Sequence, residues 1–166
     1  FKDYLVVSEK LSGSTFSFKK DGDTIVFYKG GNQRPINLID RTIMVYYEKP
    51  INYIKSITSK KSATLPSDWR FCFQYFVNTN PGLILYDNLP ENNLVLTHIK
   101  VMSPSGKVTK VIEDPRVIRD WANVLGVTPL LPLFKGYLTE DQKKKIKEFL
   151  DTPKEDHAEI FSTNSF

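Results

Sequence analysis

The chain predicts an α+β domain, a mixed and mostly antiparallel sheet with helices packed against it. Short apolar or alternating runs recur with Gly, Pro, Asp and Asn between them, as strands and turns do. Other stretches repeat their apolar residues at three- and four-residue spacing, as helices do. A length of 166 residues, 40% hydrophobic and 13% aromatic, suffices for one packed core, so a single domain over 1–166 is expected.

Tyr4–Ser8 reads as the first strand, Thr15–Lys19 as the second and Thr24–Tyr28 as the third, with Asp21-Gly22-Asp23 as the hairpin turn between the last two. Together they form a meander with Lys10 at one corner. Beside it Gly13, lacking a Cβ, lets a backbone or a ligand come close. Lys29-Gly30-Gly31 offers a sharp exit from the third strand. Asp40 then caps a helix with Ile43, Tyr47, Ile51 and Ile54 on its inner stripe and Arg41, Glu48, Lys49 and Lys55 outside. Pro50 lacks the backbone donor that a helix interior uses, so a kink or a split is expected there, and Thr58–Ser67 follows as a polar linker.

Trp69–Phe76 is dense in aromatic residues and alternates, which suits a strand with both faces occupied. Leu83–Asp87 and Asn93–Met102 read as further strands about the turn Asn88–Asn92. His98 lies in the second of these and reads as a structural partner, not a catalyst. Ser103-Pro104-Ser105-Gly106 turns the chain back into Lys107–Ile112 as a hairpin. Asp114 and Pro115 open a helix with Val117, Ile118, Trp121 and Leu125 on one side, closed by Gly126. Leu130–Phe134 reads as a short buried strand that Pro132 confines to an edge. Thr139-Glu140-Asp141-Gln142 is a capping box before a helix with Ile146, Phe149 and Leu150 inside. Its Lys143, Lys144, Lys145 and Lys147 read as a solvated face, and Asp151–Phe166 as an exit segment.

Composition removes some function classes. Net charge is +4 and the pI about 9.0, a weak bias toward polyanions. Cys72 is the only cysteine, which excludes an internal disulfide and a Cys-rich zinc site. His98 and His157 have no carboxylates at ligand spacing, and no apolar run approaches the roughly 20 residues of a membrane span. Neither a signal peptide nor a membrane partner is expected, which points to the cytoplasm.

The run Glu9-Lys10-Leu11-Ser12-Gly13-Ser14 between two strands resembles the nucleotidyl-acceptor motif of the covalent nucleotidyltransferases. These are the ATP-dependent RNA and DNA ligases and the mRNA capping enzymes, and the likeness is closest to phage RNA ligases. The resemblance implies a ligase-like nucleotidyltransferase fold in which Lys10 attacks the α-phosphorus of ATP. A lysine–AMP phosphoramidate and pyrophosphate result, Mg²⁺ assists, and the purpose is to seal RNA or DNA ends. A free lysine has a pKa near 10.4, so the neutral amine costs about 4–5 kcal/mol at pH 7 unless burial or nearby cations lower that value. The nucleotide-binding positions implied are Glu9, Gly13, Lys29 (with Arg34 as a second candidate), Phe73 and Gln74. Phe73 would line the adenine slot.

Gln74 departs from the pattern. It stands where the family carries a ribose-binding glutamate, and it can accept a hydrogen bond but supplies no negative charge. The Glu-Gly strand and the later Lys-x-Lys strand of such domains have no counterpart, so the resemblance covers about residues 4–135, with its motifs in 8–31 and 71–76. This favours the front part of a larger adenylation domain, its remainder lying beyond Phe166. The competing expectation is a catalytically degenerate ligase-like fold that serves as a viral or phage binding or assembly module. A coincidental lysine motif on an unrelated α+β domain is the third.

Overall fold

The computed structural model describes residues 4–31, 34–61, 64–77, 88–137 and 139–151. Its strands are β1 (Tyr4–Val7), β2 (Ser14–Asp21), β3 (Thr24–Lys29), β4 (Arg34–Pro35), β5 (Trp69–Tyr75), β6 (Leu94–Met102), β7 (Val108–Ile112), β8 (Thr128–Pro129) and β9 (Phe134–Tyr137). The helices are α1 (Arg41–Lys61), α2 (Pro115–Leu125) and α3 (Glu140–Asp151). The α+β class and the mostly antiparallel sheet agree with the sequence reading. The strand expected over Leu83–Asp87 and the exit segment after Asp151 lie outside the described residues.

A seven-stranded sheet runs β4-β3-β2-β5-β6-β7, with β8 added in parallel to β6. All its other pairings are antiparallel. The β2–β3 hairpin closes at Asp21 opposite Thr24, where the Asp-Gly turn was expected. On the face made by the even residues of β2 and the odd residues of β5 stand Phe16, Phe18, Phe71 and Phe73, each at most 1% exposed. A bulge keeps β6 in step with them. Cys72 pairs with His98 but Phe73 with Leu96, so Thr97 is the extra residue, and Ile99, Leu96 and Leu94 all reach this face. The Thr97 hydroxyl donates to the Cys72 carbonyl at 3.1 Å, filling the acceptor that the bulge disturbs.

The helices α1 and α2 cover that face. Tyr47 of α1 stacks on Phe16 with ring centroids 6.0 Å apart, and Trp121 of α2 meets Phe71 at 5.1 Å and Trp69 at 5.6 Å. The Tyr53 hydroxyl donates to the carbonyls of Leu125 and Gly126, tying α1 to the end of α2. Each helix starts where its cap predicts: Asp40 Oδ1 accepts from the amides of Thr42 and Ile43, and Asp114 Oδ1 from that of Arg116. In α3, Thr139 and Gln142 exchange backbone and side-chain bonds as a capping box does.

Four expectations are corrected. α1 is not split at Pro50 but runs unbroken for 21 residues, because the buried stripe Tyr47, Ile51 and Ile54 on either side of the proline holds it to the sheet. The linker therefore starts later than Thr58, which is buried inside the helix and donates to the Ile54 carbonyl. Residues 130–133 form no strand; Leu131 and Leu133 are exposed, and pairing resumes only at β9. Finally, β1 does not continue the meander. It pairs with β9 in a separate two-stranded sheet, Tyr4 opposite Tyr137 and Val7 opposite Phe134.

Candidate functional site

The last correction sets the site. Because β1 belongs to one sheet and β2 to the centre of another, Ser8–Gly13 is a crossing between sheets, and Lys10 stands on it with its side chain exposed. Glu9 beside it is half-buried. The crossing lands at Gly13, which lies so close to β5 that a Cβ there would meet the Tyr75 carbonyl oxygen at 2.8 Å and Gln74 Oε1 at 3.2 Å. Only glycine fits without displacement. One residue on, Ser14 Oγ and the Tyr46 hydroxyl of α1 share a 2.6 Å hydrogen bond that fixes the start of β2.

Next to this landing the sheet brings the sequence-predicted residues to one level. Thr15 pairs with Gln74, and the Gly30 amide donates to the Thr15 carbonyl at 3.2 Å, so the exit of β3 abuts the same point. Gln74 Oε1 is buried and has no hydrogen-bond partner among the described residues. Leaving such an acceptor without a donor costs about 1–3 kcal/mol. Gly13, Gln74 and the Lys29-Gly30 turn are thus brought together, with Lys10 three residues upstream of Gly13.

Two positions sit elsewhere. Phe73 is 1% exposed and packs against Phe16 and Phe18 on the helix-covered face, the opposite side of β5 from Gln74. It offers no ring surface for an adenine. Lys29 pairs with Phe16 and with Arg34, so its Cβ also leaves the sheet on the helix side, and Arg34 is exposed on the two-residue edge strand β4.

Sequence reasoning passed over the rest of the face that carries Gln74. Thr15, Ser17 and Lys19 alternate along β2, opposite Gln74, Cys72 and Arg70 on β5. Cys72 and Arg70 are in turn opposite His98 and Lys100 on β6. Ser17 is 1% exposed, and its hydroxyl has no partner among the described residues. The Arg70 guanidinium lies 3.9 Å over the Tyr28 ring. Thr97 Oγ1 contacts His98 Nδ1 at 2.8 Å, and burial followed by the Lys100 charge pushes the imidazole pKa down from its ordinary 6.5, although Glu113 opposes. His98 is therefore held neutral in a hydrogen-bonded pair, the structural role its sequence context suggested. Strict alternation about Phe16 and Phe18 was the signal that could have found this polar face.

Among the described residues no three His, Cys, Asp or Glu side chains gather to hold a metal ion, and no helix is long and apolar enough to cross a membrane. Three of the four lysines of α3 pair within their own helix: Lys143 with Glu140 at 2.8 Å, Lys145 with Asp141 at 3.1 Å and Lys144 with Glu148 at 3.9 Å. No family model matches this chain, and no curated protein matches it in sequence.

Proposed function

We propose that the chain is part of a ligase-like nucleotidyltransferase of the phage RNA ligase type, and that Lys10 accepts AMP from ATP in order to seal RNA or DNA ends. One observation carries the reading. The two stretches on which the resemblance rests, 8–31 and 71–76, are far apart in sequence, yet Gly13 lies against Gln74, whose amide oxygen has no donor among the described residues.

In the proposed step Lys10 Nζ attacks the α-phosphorus. A P–N bond forms as the P–O bond to the β-phosphate breaks, pyrophosphate leaves, and the amine loses its proton to solvent. Gln74 Oε1 accepts a hydrogen bond from the ribose, and Gly13 keeps the crossing against β5 so that Lys10 is presented from a fixed base. Mg²⁺ bound to the triphosphate would offset phosphate charge. ATP dependence makes the cytoplasm its working compartment.

A second reading, a degenerate ligase-like fold acting as a viral or phage assembly module, is favoured by two observations. Gln74 brings no charge, and Phe73 is spent on the core. Peptide mapping by mass spectrometry after incubation with ATP and Mg²⁺ separates the two. Adenylylation predicts AMP on the peptide containing Lys10 and none in Lys10→Ala. An unlabelled wild type that also fails to bind ATP in calorimetry rejects the enzyme and leaves the assembly module.

A further inference from the structure

The face that carries Gln74 also carries a feature the adenylylation reading does not use. Lys19 on β2, Arg70 on β5 and Lys100 on β6 stand directly opposite one another on three neighbouring strands. Like charges at paired positions of a sheet repel and destabilise it. Each of the three side chains is half-buried, which sharpens the repulsion. Neither Lys19 nor Lys100 has a carboxylate within 4.0 Å among the described residues, and Asp21 and Asp68, at the same end of the sheet, stay exposed without engaging them. Arg70 stands on the strand between those of the two lysines, and its guanidinium lies 3.9 Å over the ring of Tyr28 on β3.

We infer that the row Lys19–Arg70–Lys100 is a seat for the phosphodiester backbone of a nucleic-acid strand whose end reaches Lys10, an inference that rests on the adenylylation reading for the position of that end. Spacing argues for a strand over a free nucleotide. Strands lie about 4.8 Å apart, so the row extends roughly 10 Å across the sheet. Lys19 is four residues along β2 from Thr15, which puts the row about 13 Å from the Thr15–Gln74 pair at the Lys10 crossing. A ligand must therefore carry anionic groups spread over both lengths, as a polynucleotide does. Repulsion that costs the empty sheet stability is relieved when phosphates bind between the cations, and counterions are released as they do.

The test is fluorescence anisotropy of a labelled single-stranded oligoribonucleotide, 5′-phosphorylated, titrated at several salt concentrations with the full chain. The double variant Lys19→Gln/Lys100→Gln is compared with Lys55→Gln/Lys60→Gln, which removes equal charge from exposed positions on α1. Losing two phosphate contacts should weaken binding about tenfold and lower the salt slope by about 1.4, while the α1 variant matches wild type. Lys100→Gln alone should lower the slope by about half as much, and thermal melting of both row variants should rise or hold, which shows that they fold. AMP transfer to Lys10 is read on the same proteins. Should the slope of the row variant equal that of the α1 variant, or should wild type bind no oligonucleotide, the inference is wrong even if Lys10 is labelled. A row variant that loses ATP affinity instead assigns these cations to the triphosphate and overturns it too. If Lys10 takes no AMP while the row still sets the salt slope, the adenylylation reading fails and the strand seat stands.

Discussion

The two faces of the large sheet are built by alternate residues of the same strands, and they differ in almost every respect. Phe16, Phe18, Phe71, Phe73, Leu94, Leu96 and Ile99 line one side, buried under α1 and α2. Thr15, Ser17, Lys19, Arg70, Cys72, Gln74, His98 and Lys100 line the other, with two sealed oxygens unpartnered among the described residues and a row of like charges. The first face is satisfied by the protein itself. The second is polar, and only part of it is paired within the protein: His98 contacts Thr97 and Arg70 lies over Tyr28, while the oxygens of Ser17 and Gln74 have no partner among the described residues. A residue's neighbour in sequence can thus do the opposite job: Phe73 packs in the core and Gln74 stands on the polar face.

That contrast can be broken by substitution. The largest effect should come from Phe73→Ala, which empties space between Phe16 and Phe18 and should cost about 3–5 kcal/mol in urea denaturation, against less than about 1 kcal/mol for Gln74→Ala next to it. Equal losses at the two positions would erase the distinction between the faces. Gly13→Ala pushes a methyl into the Tyr75 carbonyl, so a destabilisation of about 1–3 kcal/mol is expected, with the Lys10 crossing displaced from β5. Unchanged stability there would mean that the crossing is not docked. Tyr46→Phe removes the Ser14 hydrogen bond and should cost about 0.5–1.5 kcal/mol by the same measurement.

His98 sharpens the comparison through pH. Its folded-state pKa is depressed, chiefly by burial, so the unfolded chain binds the proton first. The contribution of His98 is then whole above 6.5 and is lost as pH falls below that value toward the folded pKa. Melting curves between pH 5 and 8 should show wild type losing more stability on acidification than His98→Gln; parallel profiles would contradict it. The smallest effect belongs to Ser17→Ala, which deletes a buried hydroxyl that bonds nothing among the described residues and should be neutral or raise stability by up to about 1 kcal/mol. A clear loss would show that the hydroxyl has a partner.

Local chemistry was readable from the chain wherever a signal was local. The Asp-Gly hairpin, the Asp40, Asp114 and Thr139 caps and the inner stripe of α1 all form as their sequences dictate. What failed was non-local. The partner of β1 is β9, some 130 residues away, and nothing in Tyr4–Val7 announces it; adjacency in sequence suggested β2 instead. Pro50 was misread because local propensity was weighed without the packing that overrides it. In the site, the Lys10 and Gln74 stretches were recognised as motifs, whereas the side of the strand each residue faces was overlooked. Period-two alternation already separates Phe73 from Gln74, so that error was avoidable.

The most direct test is an ATP titration followed in two-dimensional amide NMR spectra of the whole chain, since it asks which face meets the nucleotide. The account predicts shifts concentrated at Ser12–Thr15, Gly30 and Gln74, with the amides of Ile118, Trp121 and Ile54 unmoved. Shifts centred on those helix residues, or no shifts at millimolar ATP, would contradict it.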